Sequence, residues 1–259
     1  MERTRPVVLF TGDQERAFFE ACDDWQFPLF LTLTLTGLRP GEACHLLLPN
    51  DLDLADAVVR VRNKADLGWQ VTRNERDVPL VPAMVGVPRC HVGERVTGPV
   101  FRRRGWSDLR CPFGASTLEA IAAELSRRVD SYLDPTAGSG HRTDRARLAR
   151  RLWWDLGAVK ADRVRTEFMR VTKWVGMADR TATKVLRHLF ATALQDGRVE
   201  PSSRNLVMGH AAAGARAPGH GLGMTAVYPH SRRDTVRRQL EEALANRPAV
   251  AISLSMLSK

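Results

Sequence analysis

Apolar residues recur at helical spacing over most of this chain and turn to strand-like alternation in one section only. The segment FTGDQERAFFEAC places Thr11 three residues before Gln14, a capping-box spacing that predicts a helix start; Phe18, Phe19 and Cys22 follow at helical intervals. FPLFLTLTLTGL alternates as a strand would, but Gly37 stands where a helix C′ residue belongs and Pro40 where the next helix opens. It is therefore read as a buried helix, followed by a short one in PGEACHLLL. Residues 57–62 (AVVRVR) and part of 69–81 (WQVTRNERDVPLV) alternate apolar with polar around the turn-rich NKADLG, which predicts a β-hairpin. The Pro-, Gly- and Arg-rich stretch 86–117 predicts loops and short elements. Residues 116–133 predict an amphipathic helix, 134–145 a flexible connection, and 146–176 further helices. ATKVLRHLFATALQDG puts Leu186, Leu189, Phe190 and Leu194 on one face and ends at Gly197; SSRNLVMGH is a short helix ending at Gly209. A basic amphipathic helix (231–246) and an apolar tail close the chain. No internal repeat is visible. The expected fold class is α+β, mainly α, with a small antiparallel β-sheet or hairpin.

Composition narrows the class. A chain of 259 residues supports a well-buried core in one large domain or two small ones, and 44% hydrophobic with 26% charged residues is ordinary for a globular protein. No apolar run reaches the ~18 residues of a membrane span, and the first residues lack a signal-peptide core, so a cytoplasmic protein is expected. The net charge of +10 and pI near 10.3 favour a polyanionic partner, nucleic acid being the commonest, over a merely basic protein. Only five of the 39 basic residues are lysines (Lys64, Lys160, Lys173, Lys184, Lys259), so each lysine raises the question of what its position needs. Cys22, Cys44, Cys90 and Cys111 form no CxxC pair, which argues against a zinc ribbon; reduced thiols are expected rather than a Cys90-His91/Cys111 metal site.

Five short motifs stand in a fixed order. LTGLRPGEA carries Arg39 and Glu42, the hairpin turn carries Lys64, KVLRHLFAT carries Lys184, Arg187 and His188, MGH carries His210, and TAVYPH carries Tyr228. In this order and context the chain resembles the catalytic domain of the tyrosine recombinases, the phage-integrase family, over residues 10–245. The resemblance implies a mainly helical catalytic domain over 1–246, double-stranded DNA as substrate, a homo-oligomeric (tetrameric) synapse on that DNA, and no cofactor or metal. It also implies site-specific strand cutting and rejoining through a 3′-phosphotyrosine.

The residue types suit that chemistry. Attack on a phosphodiester needs a nucleophile, neutralised non-bridging oxygens and a proton for the leaving 5′-oxygen. Arg39 and Arg187 are suited to clamp the oxygens bidentately without changing protonation. Lys184, three residues before Arg187, shares its helix face, and His210 can donate to a phosphate oxygen. Arg is a poor general acid whereas Lys is tunable, which fits Lys64 on a mobile hairpin tip as the acid; the family assigns its hairpin lysine likewise. Tyr228, one of two tyrosines, supplies the nucleophile, its phenolate favoured by surrounding cations. Glu42 and His188 are supporting residues, and Arg102, Arg103, Arg104, Arg232 and Arg233 are candidate DNA contacts.

Taken singly, each of these residues has a plainer reading: Arg39 as a capping residue, Lys64 as a turn residue, Tyr228 as core. Their joint order is what points to the site. The chain also departs from the family pattern. Lys184 occupies the usual His position. His210 and Tyr228 lie 18 residues apart, about twice the usual span, so 211–224 is either a hinge that moves the tyrosine or a tolerated insertion. The family's N-terminal DNA-clamping domain is expected to be absent, 85–160 is expected to hold a partly atypical insertion, and 247–259 is a candidate subunit-docking tail. Two other functions remain open: a type IB topoisomerase-like strand transferase, and a non-catalytic DNA-binding protein retaining the fold.

Overall fold

The computed structural model describes residues 8–71, 74–107, 117–132, 141–210 and 229–257. Among these it is mainly helical with two small antiparallel sheets, as the periodicity predicts. Helix α1 (Gly12–Glu20) begins with the expected capping box: Gln14 N donates to Thr11 Oγ1 at 3.2 Å, and Thr11 N to Gln14 Oε1 at 3.0 Å. Every residue of α2 (Gln26–Thr36) is buried, so this helix is the core's axis. Its threonines explain the strand-like alternation. Thr32 Oγ1 donates to Pro28 O at 2.8 Å and Thr36 Oγ1 to Thr32 O, so the hydroxyls are satisfied one turn back along the helix. Gly37 ends the helix at φ 62°, and a Cβ there would lie 2.3 Å from the Phe190 ring. Only glycine permits both that turn and that close approach.

A short helix α3 (Pro40–Cys44) leads to β1 (Leu47–Leu48). This strand pairs with the distant β5 (Gly98–Pro99). Strands β2 (Leu52–Asp53), β3 (Val58–Val61) and β4 (Arg76–Pro79) form the second sheet, with Val59 opposite Val78 and Val61 opposite Arg76. The β3–β4 hairpin is the predicted one.

Three regions differ from expectation or extend it. Reaching into 86–117, where the sequence predicts loops and short elements, the structure has α4 (Pro82–Val92), an 11-residue helix that starts at Pro82 and continues through Pro88. A proline at N1 is favourable, but one inside a helix removes a backbone hydrogen bond, which hides the helix from its sequence. Helices α5 (Leu118–Tyr132) and α6 (His141–Asp155) pack on each other and over the β3–β4 connection. They build a second core from Leu67, Ile121, Leu125, Leu152, Trp153 and Leu156. After α7 (Ala161–Trp174), α8 (Lys184–Asp196), α9 (Pro201–Met208) and α10 (Pro229–Leu244), the tail forms a helix, α11 (Pro248–Leu257). That helix lies against α1, α4 and α2 of its own chain. Ala249, Val250 and Ile252 are buried, Ala249 N donates to Glu15 Oε1 at 3.3 Å, and Arg247 pairs with Glu15. The tail is thus anchored on its own chain through α1 and α4. No helix among the described residues is long and apolar enough to cross a membrane.

Candidate active site

The site is assembled from one strand start and the ends of four helices. Arg39 is the N-cap of α3, with Pro40 at N1 and Glu42 at N3. Glu42 reaches back to accept from Arg39 N at 2.8 Å and from Arg39 Nη1 at 3.1 Å. The same carboxylate accepts a fork from Arg76, Nη1 to Oε1 at 3.1 Å and Nη2 to Oε2 at 2.7 Å. Arg76 opens β4, its side chain 1% exposed, and its Nε donates to Val207 O of α9 at 2.8 Å. Burial pushes the Glu42 carboxyl upward, but the hydrogen bonds and charges of Arg76 and Arg39 outweigh it, and the group lies below its ordinary pKa.

Arg187, one turn into α8, donates Nη1 to Gly37 O and Nη2 to Met208 O. Both carbonyls close helices, α2 and α9, where the backbone dipole leaves partial negative charge. Arg187 Nη2 also lies 3.5 Å from His210 Nε2, and His210 N donates to Asn205 O at 2.9 Å. The contacts therefore close a ring: Gly37 to Arg187, Arg187 to Met208, Val207 to Arg76, Arg76 to Glu42, Glu42 to Arg39, two residues from Gly37. Arg39 is 27% exposed and His210 is exposed, whereas Glu42 and Arg76 are buried. Lys184 begins α8 and is exposed, as is His188 one turn later. The arrangement combines three arginines, a lysine and a histidine with one carboxylate whose oxygens already accept four hydrogen bonds, a setting for an anion.

Lys64 is placed differently from the mobile tip expected of it. The connection folds inward through a 3-10 turn (Ala65–Leu67), and Lys64 is tied to Trp69 by two backbone bonds of 2.9 and 3.0 Å. Its ammonium, 6% exposed, lies 2.8 Å from Asp51 Oδ2 and 5.3 Å from the centre of the Trp69 ring. Helix α6 covers this turn. A Cβ at Gly68 would lie 2.4 Å from Ala149 Cβ, Trp153 Nε1 donates to Leu67 O at 3.1 Å, and Arg145 Nη2 to Asp66 O at 3.2 Å. His45 stacks on Trp69 at 4.7 Å and meets Trp153 edge-on at 4.6 Å. Burial is the main cause that brings the His45 pKa down to about 4, with Lys64 adding to it. Burial also raises the Asp51 carboxyl despite the adjacent Lys64.

Tyr228 lies outside the described residues, as does the Arg232 side chain. Arg233 pairs with Asp77 at 3.1 Å and Asp56 at 3.8 Å, against the sheet. Of the other candidate DNA contacts, Arg102 forms a bridge with Ala158 and its carbonyl accepts from Trp25 Nε1 at 2.7 Å. Arg103 stacks on Trp154 and Trp106, and Arg104 pairs with Asp23 at 2.6 Å and Glu167 at 3.3 Å. Sequence reasoning missed Arg76 and Asp51. Arg76 carried a signal, since it shares the inward register of β4 with Val78, and an inward arginine requires a buried partner. Asp51 carried none.

No protein-family model and no curated protein matches this chain. Among solved structures, the crystal structure of a XerA recombinase is similar, at 18% sequence identity and a TM-score of 0.46. The match covers 91% of this chain, which spans 64% of that recombinase's length.

Proposed function

We propose that the chain cuts and rejoins DNA strands by transesterification, as a site-specific recombinase acting in an oligomer on double-stranded DNA. The observation that supports this best is the closed ring holding Arg39, Arg187 and His210 together from three separate segments. A scissile phosphate over that ring meets the Arg39 and Arg187 guanidiniums at its non-bridging oxygens, with Lys184 and His210 at its edge. Glu42 does not repel the phosphate, because its charge is spent on Arg76 and Arg39. Tyr228 Oη attacks phosphorus, the P–O5′ bond breaks, and the strand is held as a 3′-phosphotyrosine with a free 5′-hydroxyl. The tyrosine proton passes to solvent water, favoured by the surrounding cations, and the 5′-oxygen gains one from Lys64. Rejoining runs the same steps backwards and conserves the phosphodiester energy. In this reading Lys64 acts only after it leaves Asp51, so its ion pair marks a resting arrangement.

The Lys64–Asp51 pair also favours a second reading, a DNA-binding protein that does not cleave. One experiment separates them. The protein is incubated with a library of randomised duplexes nicked near the centre, and SDS-resistant complexes are isolated and sequenced. Recombinase chemistry gives a 3′-linked adduct with a free 5′-hydroxyl, absent in Tyr228→Phe and reduced at least 100-fold in Arg187→Ala. Retention of duplexes without any covalent adduct would overturn the cleavage reading in favour of binding alone.

A further inference from the structure

Outside that ring, a concavity lies where α6 gives way to α7. It has a volume of about 440 Å³ and opens between the segment 103–106, the end of α6 and the start of α7. Small-ligand sites run from roughly 300 to 1,000 Å³, so this space is larger than a lone phosphate needs and matches a mononucleotide. Its lining combines two chemistries. Trp106 and Trp154 border it, and the Arg103 guanidinium centre lies 3.5 Å from the Trp154 ring centre and 4.4 Å from that of Trp106. Arg103 Nη2 donates to Trp154 O at 3.0 Å, which fixes it against the indole. Lys160 Nζ stands 4.4 Å from the same Trp154 ring, and no carboxylate among the described residues pairs with it. Arg163, one turn further along α7, is 54% exposed at the rim, where one of its amino groups pairs with Glu167 at 2.6 Å and the others face outward. Asp162 is the single carboxylate on the lining. Arg104, also on the wall, is held by two carboxylates, Asp23 at 2.6 Å and Glu167 at 3.3 Å.

Stacked indoles and a guanidinium plane recognise a flat base, and clustered Lys and Arg recognise phosphate. Few ligands other than a nucleotide carry both groups within one such volume. We propose that this concavity is a nucleotide-binding site, with the base against the Trp106–Arg103–Trp154 stack and the phosphate against Lys160 and Arg163. The nucleotide comes from one of two sources, a free mononucleotide or an unpaired nucleotide of a DNA strand. The site lies apart from Arg39, Arg187 and His210, and binding there does not require the chain to cleave DNA.

The test is a titration of the full chain followed by tryptophan fluorescence quenching, with dAMP and a short single-stranded oligonucleotide as probes. Adenosine, inorganic phosphate and a blunt duplex of the same sequence are the controls. A nucleotide site gives saturable quenching by dAMP or by the single strand at concentrations at least tenfold below those needed for adenosine or phosphate. Stronger binding of dAMP identifies the free nucleotide as the source; stronger binding of the single strand identifies the unpaired nucleotide. Lys160→Glu with Arg163→Glu weakens the effect at least tenfold. Arg170→Glu, on the same helix but not on the lining, leaves it within twofold. Unchanged melting temperature shows that these exposed substitutions leave the fold intact. Quenching by neither probe beyond the controls, or full binding by the double variant, would overturn the proposal.

Discussion

Replacing Glu42 by glutamine tests the arrangement on which the candidate site rests. The substitution keeps the side chain's shape and removes its charge. Arg76 is then left with a guanidinium 1% exposed and no anion, and Arg39 loses the carboxylate that accepts from its backbone and side chain. Breaking a buried pair by removing one partner costs about 3–5 kcal/mol, far above the ~0–1 kcal/mol of a surface pair. Some of the loss is recovered, because glutamine still accepts hydrogen bonds through one oxygen, so a cost of about 2–4 kcal/mol is expected. For a chain of this size that corresponds to a fall of roughly 5–15 °C in melting temperature. Glu242→Gln is the control: this carboxylate is 64% exposed, pairs with Arg238 at 3.3 Å within one helix, and should shift stability by less than about 0.5 kcal/mol. Urea unfolding at pH 7 reads both. The wild-type advantage over Glu42→Gln also carries a pH signature. Because the folded Glu42 pKa lies below its ordinary 4.5, its contribution is complete above that value and is lost as pH falls through the lower, folded value. Equal stability of the two variants, or a gap between Glu42→Gln and wild type that does not narrow in acid, would refute the buried-pair account.

Three other outcomes follow from the same geometry. Lys64, 6% exposed and paired with Asp51, should be acetylated by an amine reagent at least tenfold more slowly than exposed Lys173, and Asp51→Asn should close most of that gap; peptide mass spectrometry reads both rates. The folded pKa values of His45 and His91, near 4 because of burial, lie below the ordinary 6.5, so each takes up a proton on unfolding between those limits. Stability should therefore fall by up to about 3 kcal/mol per histidine as pH drops from 6.5 to 4, and His45→Phe, which keeps an aromatic ring between Trp69 and Trp153, should flatten that slope by about one proton. Ile252→Ala in α11 should cost about 2–4 kcal/mol in urea unfolding even at dilutions where no oligomer forms, because its contacts lie within the chain.

What the sequence revealed of the fold depended on whether local signals and tertiary packing agreed. Helix α1 has its capping box, and α2 its terminal glycine, so both were legible although α2 alternates like a strand. Helices α4 and α11 were not. The first hides behind its internal Pro88, and the second, which opens at Pro248, is held by α1 and α4. The site divides in the same way. The order of Arg39, Glu42, Lys184, Arg187 and His210 was visible because each sits in a short motif, and the ring adds how Arg39, Arg187 and His210 meet. Arg76, the residue that locks the ring, was passed over because a basic residue in an alternating strand reads as solvent-facing unless its register is fixed.

Lys64 shows why register alone does not locate a side chain. Its place in the hairpin was predicted correctly, yet its direction is set by residues far away in the chain. Leu67 is buried against α5 and α6, and Gly68 permits Ala149 to approach to a distance that any side chain would block. Once the turn is drawn under α6, the ammonium cannot stay in water. Asp51, itself fixed by accepting from Leu47 N at 2.7 Å, is the charge that makes this burial tolerable. Helices α5 and α6 thus do two things through one packing event: they complete a second core, and they hold the chain's hairpin lysine in an ion pair. A substitution that loosens the first must also release the second. Gly68→Ala, which adds a Cβ 2.4 Å from Ala149 at a positive φ, should raise the labelling rate of Lys64 toward that of Lys173 while Lys184 stays unchanged. Faster labelling of both lysines would mean general unfolding, and no change at Lys64 would mean that Asp51 alone holds it.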